Sequence, residues 1–341
     1  MPQYYYNPFA EKSNEEERMR RNYEIQLRIR QEKKELRNIS SGLGIAIIIY
    51  LIIQTAASVF VSKNPELYTL FKENAVFQYA FNVIFVSVLS VSVPFGLFAL
   101  INKRKYRGPI FPSKPIKASK CLQWVCFGMG CCILANLVVT YIIAFFKTYL
   151  HLELTQGDTL EPTDIFSSIM YVISIAIIPA ICEEFAMRCC SLQLLKNYGK
   201  GFAVCAVSVV FGLLHGNVIQ FIFAFLVGLV LAYVTIKTDS IVPAILIHMF
   251  NNGMSAVQDI VKLYAGKDIA EDVLAVMFIA WVVAGVICAF WLAIKKEFKR
   301  TQGQELSLLS TGEKIGAFLF PGMIVPFFLL ILLTAATVKR I

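Results

Sequence analysis

The chain has 341 residues, of which 57% are hydrophobic and only 16% are charged, against roughly 25% charged in an average soluble protein. Its mean hydropathy is +0.65, so a soluble domain of this length would lack the polar residues needed to cover its surface. The formal net charge is +9, but the basic residues lie in loops between apolar runs, as in membrane proteins. Composition therefore excludes a soluble enzyme and argues against a nucleic-acid partner.

Residues 1–40 are the first predicted element, a charged helix on the cytosolic side of the membrane. Acids and bases alternate along it, and pairs such as Glu17 and Arg21 stand four residues apart, which supports a solvated helix. The opening residues contain no apolar core of a signal peptide, so we expect no cleavable signal. We predict two parts, this charged segment and a transmembrane helical domain at 41–341.

Apolar runs dominate the rest of the chain. A helix of about 18 or more apolar residues is long enough to cross a hydrocarbon layer of ~30 Å. The runs lie approximately at 41–62, 75–101, 121–146, 165–195, 201–217, 219–236, 241–257, 272–294 and 315–337. The fifth and sixth runs are separated by almost no loop, so the prediction is eight or nine crossings. The expected fold class is all-α, a polytopic integral membrane helix bundle.

The charges of the loops predict the orientation of the bundle. Loop 102–120 carries seven Lys or Arg and no acid, and 295–300 is also basic, whereas the loop 147–164 is acidic. Counting crossings from a cytoplasmic N-terminus places both basic loops inside and the acidic loop outside, as the positive-inside rule requires. We therefore predict a multi-pass protein of the cell membrane with its N-terminus in the cytoplasm.

Five ionisable side chains interrupt the apolar runs away from their ends: Glu183, Glu184, Arg188, His215 and His248. An acid or an arginine at mid-bilayer costs at least ~2.5–3.5 kcal/mol on insertion scales. Such residues therefore face a protein interior or a water-filled cavity, and they mark a functional site by default.

Three of these residues are expected at similar depth. Counted from the nearest lysine of the predicted inner turns, Glu183, His215 and His248 lie 13, 15 and 11 residues away. At ~1.5 Å per residue these separations are roughly 20, 22 and 16 Å along their helices. Comparable depth from one face is what a shared site requires.

Spacing within the helices adds detail. Glu184 and Arg188 stand four residues apart, so they share a helix face and can form an ion pair. His248 and Asn252 have the same spacing, and Asn252 is expected to hold His248 in one rotamer or to donate to the same ligand. The sequence thus predicts a cluster built from three helices.

Three short motifs carry a resemblance to a known family. CEEFAMR (182–188) fits an EExxxR pattern, FGLLH (211–215) an FxxxH pattern and HMFNN (248–252) an HxxxN pattern. In this order, on successive apolar helices, they resemble the CPBP family of intramembrane proteases, named for CAAX prenyl proteases and bacteriocin-processing enzymes (the Abi-like proteins). The resemblance covers about residues 165–256, and Cys189 stands where the family often has a glycine.

The resemblance implies roles for four residues. Glu183 would be the catalytic base that, with His215, polarises a water molecule for attack on a peptide carbonyl. A carboxylate in a low-dielectric site is a stronger base than one in water. His248 and Asn252 would donate hydrogen bonds to the tetrahedral oxyanion, where preorganised donors typically contribute ~10²–10³ in rate.

The same resemblance implies a supporting ion pair and raises the question of whether the site binds a metal. Glu184 and Arg188 would form an ion pair that positions Glu183. Two histidines and a glutamate could also hold Zn²⁺ with a water in the fourth position, and the ligands would then be Glu183, His215 and His248. HExxH is absent, so we favour a glutamate-dependent enzyme without a firm cofactor over a zinc metalloprotease.

The predicted function is therefore an intramembrane endopeptidase. Its expected partners are membrane lipids and a membrane-associated peptide or lipidated protein, of the CAAX type or containing a leader. A non-catalytic bacteriocin-immunity or scaffold protein could use the same pocket for binding, although this chain keeps every motif residue. A transporter should show related half-repeats, and the sequence has none.

Overall fold

The computed structural model describes residues 8–154, 159–299 and 307–340, and these are almost entirely helical. The helices are α1 (Pro8–Lys63), α2 (Pro65–Glu73), α3 (Ala75–Ile101), α4 (Ala118–Leu150), α5 (Ile165–Tyr198), α6 (Lys200–Leu214), α7 (Val218–Thr238), α8 (Val242–Ala265), α9 (Lys267–Ile294), α10 (Thr311–Leu319) and α11 (Ile324–Ala335). Strands β1 (Leu152–Leu154) and β2 (Val338–Arg340) pair antiparallel. The all-α membrane fold predicted from the sequence is confirmed.

The number of crossings differs from the prediction. Six helices in the described part of the chain are long and apolar enough to cross a membrane, or up to seven if α10 and α11 form one span. Helix α6 has only 15 residues, about 22 Å of rise, and α8 carries polar side chains such as His248 and Asn252. The predicted count of eight or nine is therefore not confirmed.

The last predicted crossing, 315–337, is a bent pair of helices. Helices α10 and α11 meet at an angle of 79°. Proline has no backbone N–H and disfavours helical geometry in the residue before it, and Phe320, which precedes Pro321, is extended. Hydropathy averaged along the sequence does not reveal such a break, because the residues on both sides of it are apolar.

Contacts at the two ends of the bundle join segments that lie far apart in the sequence. At one end, β1 follows α4 and pairs with the C-terminal β2, and Lys262 donates to Glu161 at 2.6 Å, which raises the pKa of Lys262. At the other end, Lys120 pairs with Glu297 at 2.7 Å. We call these ends the acidic face and the basic face. The cytoplasmic location of the basic face stays a prediction.

The turn between α6 and α7 explains the missing loop in the sequence. Helix α6 ends at Leu214, and the Asn217 side chain accepts a hydrogen bond from the Gln220 N–H at the start of α7. Gly216 has φ +67°, a conformation that favours glycine. His215 is therefore held at a tight turn inside the bundle, at the end of a short helix.

Two large groups and one small group of buried apolar side chains lie among the described residues. The first large group joins α1, α3, α5 and α6 to α7, α10 and α11, the second joins α4, α7, α8 and α9, and the small group joins α3, α5 and α8. Gly130 of α4 and Gly285 of α9 let two backbones approach so closely that a Cβ on Gly285 would lie 2.8 Å from the Gly130 Cα. Helix α5 of the first large group also packs against α8 of the second, and residues of two of the three motifs lie on these helices.

Candidate active site

Helix α5 changes its winding around the two motif glutamates. π-Helical stretches at Ile173–Ile177 and Phe185–Ser191 enclose the α-helical Ile178–Glu184. π-Turns inside α-helices frequently occur at functional sites, because they rotate the following side chains relative to a regular helix. This winding sets the directions in which the two neighbouring glutamates point.

Glu184 points into the protein. Its side chain is fully buried, and Oε2 lies 2.9 Å from Arg188 Nε, as the spacing predicted. Its other oxygen, Oε1, accepts a hydrogen bond of 2.9 Å from His248 Nδ1. We call Glu184, Arg188 and His248 the buried ion cluster. It joins α5 to α8 by charge-assisted contacts, which are stronger than neutral hydrogen bonds.

Arg188 is as fully enclosed as Glu184. Its side chain is fully buried, and its guanidinium lies over the Phe211 ring at 4.9 Å from the ring centroid. Such a cation–π contact is worth about 2 kcal/mol when desolvated. Phe211, the first residue of the FxxxH motif, thus contacts the ion cluster and is more than a packing residue.

His248 stands between the two glutamates. While its Nδ1 donates to Glu184, its Nε2 lies 3.8 Å from Glu183 Oε2. The Phe211 ring packs against it edge-on at 5.9 Å between ring centroids. His248 is therefore oriented by Glu184, with its second nitrogen directed toward Glu183.

Glu183 faces a cavity instead. The side chain is 25% exposed, and Oε2 is buried with no hydrogen-bond partner among the described residues. The cavity has a volume of about 290 Å³ and is also lined by His215 and Tyr50, with apolar side chains from α1, α3 and α11. We call it the polar cavity. The Glu183 carboxylate is thus accessible to a ligand that enters the cavity.

His215 presents one ring nitrogen to the polar cavity. Its Nδ1 donates to the carbonyl of Phe211 at 2.8 Å, a contact that fixes the ring, and the Phe211 ring packs edge-on against it at 5.0 Å. Because a carbonyl can only accept, the proton lies on Nδ1, and Nε2 is the nitrogen that remains for a ligand. The structure therefore brings Glu183 and His215 to one cavity.

Asn252 is held differently from the expectation. Its side-chain amide donates to the carbonyl of Ile175 at 3.1 Å, and its Oδ1 accepts from Asn251 at 3.2 Å. The expectation that Asn252 holds His248 is wrong, because Glu184 does so. Asn252 instead binds a carbonyl in the first π-helical stretch of α5, so it couples α8 to the helix that carries the glutamates.

Tyr50 is a site residue that the sequence did not suggest. It lies in α1, more than a hundred residues before the motifs, and it lines the polar cavity. Its hydroxyl donates to the carbonyl of Leu214 at 2.7 Å, one residue before His215. No spacing in the sequence links α1 to α6, so only tertiary packing could identify this contact.

The suggested metal ligands are not arranged as a metal site. Among the described residues, no group of three His, Cys, Asp or Glu side chains could hold an ion. The Nδ1 of His248 is occupied by Glu184, and the Nδ1 of His215 by a backbone carbonyl. Nε2 is therefore the nitrogen left for a ligand in both rings, and the binding of Zn²⁺ stays a prediction.

Comparison with known proteins bears on the middle of the chain. Residues 165–254 match the family model described as type II CAAX prenyl endopeptidase, Rce1-like. The match covers about a quarter of the chain and includes all three motifs. No curated protein and no solved structure matches the chain. The resemblance to the CPBP family is thus confirmed, and the family supports intramembrane protease activity in broad terms.

Proposed function

We propose that this protein is an endopeptidase that hydrolyses a peptide bond of a membrane-associated substrate, with Glu183 and His215 activating the water. One observation carries the proposal. The polar cavity brings together a partly exposed carboxylate that has an unpaired oxygen and an imidazole whose Nε2 is available. A carboxylate at a cavity inside an apolar helix bundle is costly, so its retention favours a chemical role.

The chemistry follows from these positions. A water in the polar cavity gives a proton to Glu183 while its oxygen attacks the carbonyl carbon of the peptide. His215 Nε2 orients the same water. The resulting oxyanion is stabilised by donors from His248 and Asn252, and Glu183 then returns the proton to the departing amine as the C–N bond breaks. The buried ion cluster keeps His248 in place throughout.

The mechanism is proposed as glutamate-dependent and free of metal. Support comes from the arrangement of the side chains: among the described residues, no group of three His, Cys, Asp or Glu could hold a metal ion. Proposed substrates are lipidated proteins of the CAAX type and leader-containing peptides at the cell membrane, with lipids in contact with the bundle. The apolar walls of the cavity suit such chains.

The test is a cleavage assay with purified full-length protein in lipid vesicles. Substrates would be membrane-tethered fluorogenic peptides, with and without a prenyl group. Glu183→Gln and His215→Gln should each abolish cleavage, while Glu271→Gln, an exposed glutamate of α9, should not affect it. Full activity in both site variants would refute the mechanism, and binding without cleavage in the wild type would favour an immunity or scaffold role.

Metal dependence is measured on the same samples. Elemental analysis of the purified protein should find no stoichiometric zinc, and activity should survive exhaustive chelation. Zinc at one atom per chain, together with activity that chelation removes and zinc restores, would replace the glutamate-dependent mechanism with a metalloprotease mechanism.

A further inference from the structure

A second pocket lies at the basic face, where the ends of several helices converge. Its volume is about 610 Å³. The end of α5, the start of α6, the end of α7 and the residues after α9 surround it. Seven lysines line it: Lys114, Lys196, Lys200, Lys237, Lys295, Lys296 and Lys299. We call this the lysine pocket.

The rim of the lysine pocket is built by hydrogen bonds between two chain segments. The N–H of Lys114 donates to the carbonyl of Asp239 at 3.1 Å, and the N–H of Ile241 donates to the carbonyl of Pro112 at 2.8 Å. Asp239 itself has a left-handed backbone that turns the chain from α7 into α8. The loop after α3 is therefore fixed against the turn, and Lys114 is held at the pocket by backbone contacts.

The charges around the lysine pocket are unbalanced. Seven lysines face two acids, Asp239 and Glu297, which leaves a surplus of five positive charges among the described lining residues. Glu297 is already paired with Lys120 at 2.7 Å. Neither Lys114 nor Lys296 forms an ion pair within the described ranges of the chain. Like charges gathered in a pocket repel each other, and a bound anion relieves the repulsion.

The floor of the lysine pocket is polar. Gln193 and Thr235 line it and are almost fully buried, and the Gln193 side-chain carbonyl accepts a hydrogen bond from Lys196. Lys237 donates to the carbonyl of Lys299 at 2.6 Å, which ties the chain after α9 to the end of α7. A buried polar floor under several ammonium groups suits a compact anion with several charges, and lysine binds phosphate as a point charge.

The position of the lysine pocket in the bundle indicates which class of anion it binds. The pocket opens at the ends of α5, α7 and α9, three helices long enough to cross a membrane. Helix ends of this kind lie at the level of the lipid headgroups, and basic pockets between such helices bind phosphorylated headgroups. We propose that the lysine pocket binds the phosphate-bearing headgroup of an anionic membrane lipid.

The lysine pocket is separate from the polar cavity. Lys196 lies 13 residues after Glu183 on α5, which is roughly 20 Å along the helix. None of the residues that line the lysine pocket has a role in the proposed peptide hydrolysis. The proposal therefore stands or falls independently of the proteolytic function.

The experiment measures binding of a short-chain, water-soluble phosphatidylinositol phosphate to the full-length protein in neutral phosphatidylcholine nanodiscs. The pocket variant is Lys114→Gln/Lys296→Gln, which removes two exposed lysines that form no ion pair in the described structure. The matched control is Lys103→Gln/Arg104→Gln, which removes two exposed charges elsewhere on the basic face. Each pocket lysine is expected to contribute about five-fold in affinity.

The pocket variant should therefore bind the lipid roughly 25-fold more weakly than wild type, while the control changes less than two-fold. Inorganic phosphate that competes only at far higher concentration supports a lipid source. Inorganic phosphate that binds as tightly as the lipid overturns the lipid assignment and makes free phosphate the ligand. Equal losses in the pocket and control variants, or binding of an acidic peptide but of neither phosphate compound, would refute the proposal.

Discussion

Glu183 and Glu184 are consecutive in the sequence but lie in two different environments. Glu184 belongs to the buried ion cluster, has no exposed surface and contacts Arg188 and His248. Glu183 is 25% exposed in the polar cavity and has an oxygen without a hydrogen-bond partner in the described structure. Each oxygen of Glu184 lies 2.9 Å from a basic nitrogen, whereas Oε2 of Glu183 lies 3.8 Å from His248 Nε2, so Glu184 is held more closely by the protein.

The difference suggests different roles for the two glutamates. A carboxylate that takes a proton from water must be accessible to that water, whereas a carboxylate that orients other side chains is best occupied by them. In the buried ion cluster, Arg188 and His248 both contact the Glu184 carboxylate, and the cluster joins α5 to α8. It is suited to hold His248 and the turn of α5 in fixed positions for the cavity beside it.

The largest effect is expected for Glu183→Gln. The amide keeps the shape of the side chain but cannot accept the proton of water, so cleavage should fall by about 10²–10⁴. The stability of the protein should change little, because Glu183 is 25% exposed and its contact with His248 Nε2 is long, at 3.8 Å. Cleavage rates and thermal unfolding in detergent check both parts. A large loss of stability would show that Glu183 belongs with the ion cluster after all.

Arg188→Met should mainly lower the stability of the protein, in contrast to Glu183→Gln. Removal of the guanidinium leaves Glu184 as a buried charge with one partner fewer, which typically costs 3–5 kcal/mol. Unfolding can be followed with a thiol-reactive dye, because most of the cysteines are buried in the folded protein. The exposed Arg104→Met is the control.

A double-mutant cycle sharpens the result for Arg188. The double variant Glu184→Gln/Arg188→Met removes both charges of the pair, so neither is left buried alone. It should therefore be more stable than the sum of the two single effects predicts. Additive losses would mean that the two side chains do not interact as the structure indicates.

Asn252→Ala distinguishes two roles of the same side chain. The amide donates to Ile175 in the structure, and it is also proposed as an oxyanion donor. If the second N–H of the amide stabilises the oxyanion, kcat should fall by about 10²–10³ with little change in KM. A loss of stability of about 1 kcal/mol without a matching fall in kcat would leave Asn252 as a tether between α8 and α5.

Much of this arrangement could be predicted from the sequence, for identifiable reasons. Charges inside apolar runs are so costly that the positions of five side chains are enough to locate the site: Glu183, Glu184, Arg188, His215 and His248. Regular spacing also predicts the pairing of Glu184 with Arg188, since four residues are about one helical turn. Both features depend on local periodicity, which a sequence records directly.

Features that depend on packing between distant segments could not be predicted. His248 is held by Glu184, 64 residues away, and not by Asn252 one turn along its own helix. The π-helical stretches of α5 and the 79° bend between α10 and α11 leave no mark in apolar sequence. Local spacing indicated Asn252 as the partner of His248, but the buried charge of Glu184 binds the imidazole instead.

The smallest effect is expected for Tyr50→Phe, which tests how far the polar cavity extends beyond the family-like segment. Tyr50 comes from α1, and its hydroxyl binds the Leu214 carbonyl next to His215. Loss of that donor leaves a carbonyl unsatisfied, at a cost of about 1–3 kcal/mol, and frees the turn that carries the imidazole. Tyr50 is thus a positioning residue, so kcat should fall several-fold, and the pH profile of cleavage should shift because His215 is less well fixed. Leu51→Met, a change at an apolar lining residue of α1, is the control. If the two variants lose activity equally and neither pH profile moves, α1 merely closes the cavity and the orientation of His215 depends on its bond to Phe211 alone.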